Sequence, residues 1–535
     1  MNRPFMGSGS LRKRIVGFAV PAVLWICLSS WVGWYAVGPG YPDGFQSVGA
    51  SFGGSPGHLS WPMMGDFEGF DRAWGYHWVG WPMIRSLLSV ALPWTALGDG
   101  IALHGLRALL ALLVAETVFR QTRSIPASFL ALFIVLLNRG WFCSMAFLFR
   151  PETLSALVLW GAAFPLIPKV HRGGWILTTT SVLCLLLLPL LHPLAWPAAL
   201  IVVAFGTVSM RSSAANDNWM LASLVRWWLP LMTGVALFAG YYLMDPLRGQ
   251  QFMQTIETTA LFKSGMLATA KRLFFDPKNL FFSAPAAVVL ITGLFALRGA
   301  TGHGKSWSGG MGLSLALVLA SFVYLFLAGH PNTGHAAVMA PFVGHAAGRL
   351  YAMEWRCRPL NFLIRPGFIG LALVCSLPLV LVAGAFFQCV PQSPRSMARM
   401  VLSRALAESS GQVIIPLALW EAAGELPAEK RSRLSFATFP NWVTVDRRLR
   451  YETGVIRGLK DGDVLVVDGT PPEPSDPANI LPWPRTDLLR AAGETPWAEV
   501  ENYPAIVNST LLLGSLRRDE MQLGPMQLFR YQSNQ

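Results

Sequence analysis

The sequence predicts an α-helical polytopic membrane protein of about eleven transmembrane helices, ending in a small α/β domain outside the bilayer. Three observations carry this. Of 535 residues, 53% are hydrophobic and only 13% are charged, a richer apolar share than a soluble domain of this size uses. Apolar runs near the roughly 20 residues that cross a bilayer recur from Ile15 to Phe387. None follows Phe387, so the chain divides into a membrane module, residues 1–387, and a polar tail, residues 388–535.

Charge and proline punctuate the first part into helices at 15–38, 100–121, 125–138, 153–168, 174–190, 194–210, 228–244, 281–297, 311–329, 336–350 and 366–387. The first follows Arg12-Lys13-Arg14, but it is long for a signal-peptide core and no small-residue cleavage site closes it. It reads as a retained helix. The uncharged stretch from Trp175 to Met210 holds 36 residues, too many for one span, and Leu191-His192-Pro193 supplies the turn between two. The spans at 125–138 and 336–350 carry the weakest signals, and a re-entrant segment at either would reverse the parity beyond it.

Lys and Arg in alternate short loops, from Arg12, Lys13 and Arg14 through Arg120, Arg123, Lys169, Arg172, Arg211 and Arg226 to Arg298, Lys305, Arg349 and Arg365, put the N-terminus in the cytoplasm. The same parity places residues 39–99, 139–152, 245–280, 330–335 and the tail on the outer side, the periplasmic face of a bacterial-type inner membrane. In the tail, Gln412–Leu419, Asp463–Asp468 and Gln522–Tyr531 read as strands.

The net charge of +13 is uneven, because residues 388–535 hold 16 Lys and Arg against 17 Asp and Glu, leaving 26 against 12 before them. The basic excess thus belongs to the membrane module, which excludes a nucleic-acid-binding tail and fits topology signals with an anionic substrate. The six cysteines form neither a disulfide framework nor a metal-type spacing.

Chemistry is expected in the first outer loop, where Asp66, Glu68 and Asp71 stand within six positions among Phe67, Phe70, Trp74, Tyr76 and Trp78. Carboxylates beside a bilayer are costly unless they face water, a cation or a substrate. A hydroxyl attacking a sugar carried on a lipid phosphate needs such a carboxylate to take its proton, and the departing phosphate needs cations or oriented donors. Asp66 is the first choice for the base, with Glu68 and Asp71 in reserve; the competing reading makes them helix caps and solvated interfacial residues, Asp71 pairing with Arg72.

His77 is a donor to phosphate or an interfacial anchor. Arg150-Pro151-Glu152 opens the fourth helix, with proline at a tolerated position and the carboxylate near the helix's positive pole. Lys263, Lys271 and Arg272 lie in an outer loop whose pattern suits membrane-lying amphipathic helices and whose positive charge runs against the topology bias, as a phosphate pocket or a headgroup-binding surface would require. His330 and His335 flank a polar turn and could contact donor phosphate or sugar, although their spacing does not suit a metal site. Arg107 and Glu116, nine residues apart on the second helix, do not face each other and read as structural.

Architecture and residues together resemble the GT-C superfamily, integral-membrane glycosyltransferases of the protein-mannosyltransferase and aminoarabinose-transferase type that use polyprenyl-phosphate sugars. The acidic first loop, the Arg150-Pro151-Glu152 helix start, the His330-Pro331 loop before a proline-containing helix, and a soluble domain after the last span carry the likeness. The resemblance implies an inverting hexosyl or pentosyl transfer at the periplasmic face, from a polyprenyl-phosphate donor to a glycan, lipid or protein acceptor, with a first-loop carboxylate as base. Many relatives have adjacent Asp-Glu there, whereas this chain spaces its acids, which leaves the base open among the three. No organic cofactor is implied, and a divalent metal ion stays open because metal dependence varies within the superfamily. The competing classes are a lipid-linked glycan transporter or flippase, and a non-catalytic subunit of envelope polysaccharide assembly. Ionisable residues gathered in loops rather than at mid-membrane, and no internal repeat, favour the enzyme.

Overall fold

The computed structural model describes residues 17–27, 96–138, 152–167, 175–192, 194–213, 218–244, 265–275, 277–297, 309–328, 337–353, 362–376, 394–416, 419–436, 460–468, 497–504, 506–507, 522–523 and 525–532, with isolated positions 84, 246, 249, 253 and 355. Helix α1 (Gly17–Cys27) is the first described helix; α2 (Ala96–Thr122) turns sharply into α3 (Ile125–Leu136). The turn is made by Arg123 at φ 57° and by Ser124, whose hydroxyl caps α3 by accepting the Ala127 N–H at 3.3 Å; Pro126 lies in the first turn, where no N–H is needed.

Helices α4 (Glu152–Ala163), α5 (Trp175–Leu191), α6 (Ala195–Ser213) and α7 (Trp219–Leu243) follow, then α8 (Met266–Phe275), α9 (Pro277–Leu297), α10 (Gly309–Ala328), α11 (Ala340–Ala352) and α12 (Phe362–Ser376). Among the described residues, segments of α2, α6, α7 and α10 are long and apolar enough to cross a membrane, and shorter apolar helices lie in the predicted spans at 15–38, 125–138, 153–168, 174–190, 281–297 and 366–387, while the span at 336–350 falls on α11. Large apolar side chains are exposed along α5 (Trp175, Ile176, Leu183), α7 (Leu229, Met232) and α10 (Leu319, Val323). In water this would be a liability; against lipid it is the solvated face.

The two weakest predicted spans are helices and pack on each other. Gly344 and Gly348 of α11, four residues apart, let its backbone approach α3 closely: a methyl group at 344 would lie 2.9 Å from the Ala131 carbonyl oxygen, and one at 348 would lie 2.8 Å from that of Ala127. Small residues at this spacing drive helix contact where no hydrophobic force separates protein from lipid. Nearly every residue from Ala337 to Leu350 is buried, His345 among them.

Several helix starts differ from expectation by four residues or more, those of α7 and α12 among them. Helix α7 starts at Trp219 rather than near 228 and passes through a π-helical turn at Leu224–Trp228, and α12 starts at Phe362 rather than 366. In both cases a cation, Arg226 or Arg365, lies inside the helix. Hydropathy marks where a helix is apolar; its backbone hydrogen bonds run further.

Directions follow from two cross-links. Arg107 Nε donates to Thr153 Oγ1 at 2.9 Å, and Gln121 Nε2 donates to the Ile167 carbonyl at 2.7 Å. Both partners advance by 14 residues, so α2 and α4 run parallel, joined by the returning α3, and two polar layers lie about 21 Å apart along the bundle. The layer at the Arg123 end continues as His345 Nε2 to Gln121 Oε1 at 2.9 Å, Arg349 to the same oxygen at 2.6 Å, and Ser314 Oγ to His345 Nδ1 at 2.8 Å. It ties α2, α10 and α11 together.

The tail holds α13 (Pro394–Glu408), short helices α14 (Trp420–Gly424) and α15 (Ala428–Arg431), and a sheet of order β2-β1-β3-β7-β4. Strands β1 (Val413–Ile415), β2 (Leu434–Phe436) and β3 (Val464–Asp468) are parallel, while β7 (Met526–Tyr531) pairs antiparallel with β3 and with β4 (Trp497–Tyr503). A two-stranded pair, β5 (Ile506–Val507) with β6 (Gln522–Leu523), stands beside it. The predicted strands fall on β1, β3 and on β6 with β7. Strands β2 and β4 were not anticipated, since β2 is three residues long and β4 mixes Glu499, Glu501 and Asn502 among its apolar residues. Ion pairs from Arg404 to Glu408 at 2.9 Å and to Glu501 at 3.1 Å, and from Arg530 to Glu408, fasten α13 to β4 and β7.

Candidate active site

At the end of the bundle opposite Arg123, five polar side chains come together in an otherwise apolar interior: His104 and Arg107 of α2, Glu152 and Thr153 of α4, and His192 in the turn after α5. All are buried. His104 and Arg107, three residues apart, share one face of α2. Because a guanidinium can only donate, the 3.3 Å contact from Arg107 to His104 Nδ1 makes that nitrogen an acceptor and puts the imidazole proton on Nε2. That Nε2–H has no hydrogen-bond partner among the described residues, and the ring meets Trp25 of α1 edge-on at 5.3 Å.

His192 is set by the same logic. The Leu194 N–H donates to its Nδ1 at 3.1 Å, so the proton sits on Nε2, which lies 3.8 Å from Glu152 Oε1. Pro189 and Trp196 brace the turn, the indole donating to the Pro189 carbonyl at 3.0 Å. Glu152 occupies the first turn of α4, near the positive pole of that helix, and interacts through charge with Arg107. The cluster is therefore a cation in the middle of α2 and an anion in the first turn of the parallel α4, with two histidines whose protons point along defined directions. Such a group can fix a phosphate or a hydroxyl in place.

Of the eleven predicted site residues, three are described. Glu152 is in the cluster. Lys271 and Arg272 are exposed on α8, whose Thr269 and Leu273 are buried, so α8 is amphipathic as expected and its cations share no buried site with Glu152. Asp66, Glu68, Asp71, His77, Arg150, Lys263, His330 and His335 lie outside the described residues. The sequence reading missed His104 and His192 and gave Arg107 a structural role; Glu116 pairs instead with Arg120 at 2.8 Å. The available signal was a histidine and an arginine one turn apart inside a predicted span, where a polar residue needs a partner. Among the described residues no group of three or more His, Cys, Asp and Glu side chains is placed to hold a metal ion.

A parallel α2/α4 pair closed by short helices, with a buried polar cluster at one end, belongs to a polytopic membrane protein whose fold matches a solved structure. The chain is similar to ArnT from Cupriavidus metallidurans, a crystal structure in the apo state, over 96% of its own length and 98% of that chain, with a TM-score of 0.53 and 12% sequence identity. A second neighbour is the arabinofuranosyltransferase AftD from Mycobacteria, a cryo-EM structure, with a TM-score of 0.47, 13% identity, and coverage of 97% of this chain and 40% of that one. No protein-family model matches the chain, and no curated protein matches it in sequence.

Proposed function

We propose that the chain is a membrane glycosyltransferase that moves a sugar from a polyprenyl-phosphate donor to an acceptor hydroxyl at the periplasmic face of a bacterial inner membrane. The observation that carries this reading is the buried Arg107–Glu152–His192 cluster at one end of a GT-C fold. In the reaction, the acceptor oxygen forms a bond to the anomeric carbon as the bond to the phosphate oxygen breaks. Asp66, or Glu68 or Asp71 in its place, takes the acceptor proton, and the electron pair leaves with the polyprenyl phosphate. Arg107 and Arg150 stabilise the departing phosphate, while Glu152 and His192 hold Arg107 in position. The tail, residues 388–535, folds outside the membrane as a separate domain.

The same cluster also supports a second reading, a lipid-linked glycan transporter, because charged groups enclosed within membrane helices are where transporters keep their substrate sites. The test is a set of variants assayed in proteoliposomes with synthetic undecaprenyl-phosphate pentoses and hexoses. Asp66→Asn is expected to abolish transfer with folding and insertion intact. Full activity in Asp66→Asn with Glu68→Gln inactive would move the base by two residues, and activity retained after neutralising all three acids would overturn the catalytic role of this loop.

A further inference from the structure

A second feature lies on the flank of the bundle, away from the polar cluster. Helices α1, α3 and α12 enclose a groove of about 710 Å³, lined by side chains such as Leu24, Trp25, Phe129, Phe133 and Leu373, and no charged residue contributes to it. Its walls open sideways: Leu24 is 63% exposed and Leu373 is 66% exposed. The α3 residues that line it run from Pro126 to Leu137, a rise of about 16 Å, which equals about half of the ~30 Å hydrocarbon core of a bilayer.

The groove has a polarity. Two exposed cations flank it: Arg123, in the turn three residues before Pro126, and Arg365, one helical turn before Ile369 on the same face of α12. At its other end Trp25 meets His104. An apolar channel one leaflet long, with Arg123 at one mouth and a second exposed arginine on a wall helix, has the chemistry of a lipid with an anionic headgroup. We propose that this groove is a resident-lipid site that takes an acyl chain of an anionic phospholipid from the leaflet at the Arg123 end, with the headgroup phosphate on Arg123 and Arg365. The lipid closes the first and last described helices of the bundle onto α3. It is not the sugar donor, because a phosphate held by these arginines lies at the end of the bundle remote from Arg107, about 21 Å along α2 from the Glu152 cluster. The inference therefore does not rest on the glycosyltransferase reading.

The test uses the full chain with a photo-crosslinking amino acid at Leu373, irradiated in native membranes, and mass spectrometry of the adduct. A phosphatidylglycerol or other anionic phospholipid adduct is expected. An adduct to a polyprenyl phosphate, to phosphatidylcholine-type zwitterionic lipid in proportion to its abundance, or to the chain's own residues would overturn the proposal. In parallel, the delipidated protein is returned to vesicles of phosphatidylglycerol or phosphatidylcholine. The wild type is expected to retain the anionic lipid about tenfold better, and R123Q/R365Q is expected to lose that preference while still folding. A preference unchanged in the double variant would equally refute it.

Discussion

Arg107 is the residue on which the polar cluster turns. It reaches Thr153 across the helix pair, fixes the tautomer of His104, and interacts through charge with Glu152. Removing one member of a buried charge cluster leaves the others uncompensated, so Arg107→Met is expected to cost about 3–5 kcal/mol, read as a lower midpoint of thermal unfolding in detergent. Pairing it with Glu152→Gln should restore part of that loss, and a double variant whose loss equals the sum of the singles would show that the two do not interact. In the tail, the Asp463 carboxylate accepts the Gln412 N–H at 2.7 Å and the Lys460 N–H at 2.8 Å, beside Gly462 at φ 88°. Asp463→Ala strands two donors, and we expect a cost of about 2 kcal/mol, with faster hydrogen exchange at the Gln412 and Lys460 amides. Unchanged exchange there would dismiss the role.

Among elements, the α3/α11 contact sets two glycines against a partner backbone and is the one the sequence described least. Both segments are short, and α3, apolar on nearly every side, has no amphipathic stripe to orient it. The signal lay in Gly344-His345-Ala346-Ala347-Gly348, a small-residue spacing that says two backbones meet without saying which. Gly348→Leu is expected to lower stability by about 1–3 kcal/mol, because the Ala127 carbonyl is backbone and cannot yield. Gly105→Ala is the control: nothing lies within 4 Å of the added methyl group, so a gain of about 0.5–1 kcal/mol is expected from helix propensity alone. Loss of stability at both positions would mean that glycine matters here for flexibility rather than for close approach.

Other elements were legible for clear reasons. The division of Trp175 to Met210 into α5 and α6 followed from length and from the proline after His192, and the structure ends α5 at Leu191 and begins α6 at Ala195. The same turn concealed a site residue, because a histidine beside a proline reads as a breaker before it reads as a ligand. Helix α8 declared its amphipathic face through Lys271 and Arg272, whereas the buried His104 and Arg107 of α2 gave only a local dip in hydropathy.

At the scale of the molecule, a bundle whose polar groups gather in two layers about 21 Å apart has two chemically distinct ends. The layer around Gln121, His345 and Arg349 is closed upon itself by hydrogen bonds that join three helices, as a structural tie would be. The layer around Glu152 contains an imidazole N–H with no described partner, a burial that is rare without a purpose. This asymmetry, set within a fold similar to that of ArnT, is why the proposed reaction is placed at the Glu152 end and the other end is read as framework.

The most direct measurement follows both halves of a doubly labelled undecaprenyl-phosphate sugar, presented to the purified chain in sealed proteoliposomes with a membrane extract as the source of acceptor. Release of free undecaprenyl phosphate in step with sugar transferred to acceptor is the expected result. Movement of the intact lipid-linked sugar between leaflets with no free carrier phosphate would contradict the account and establish transport instead.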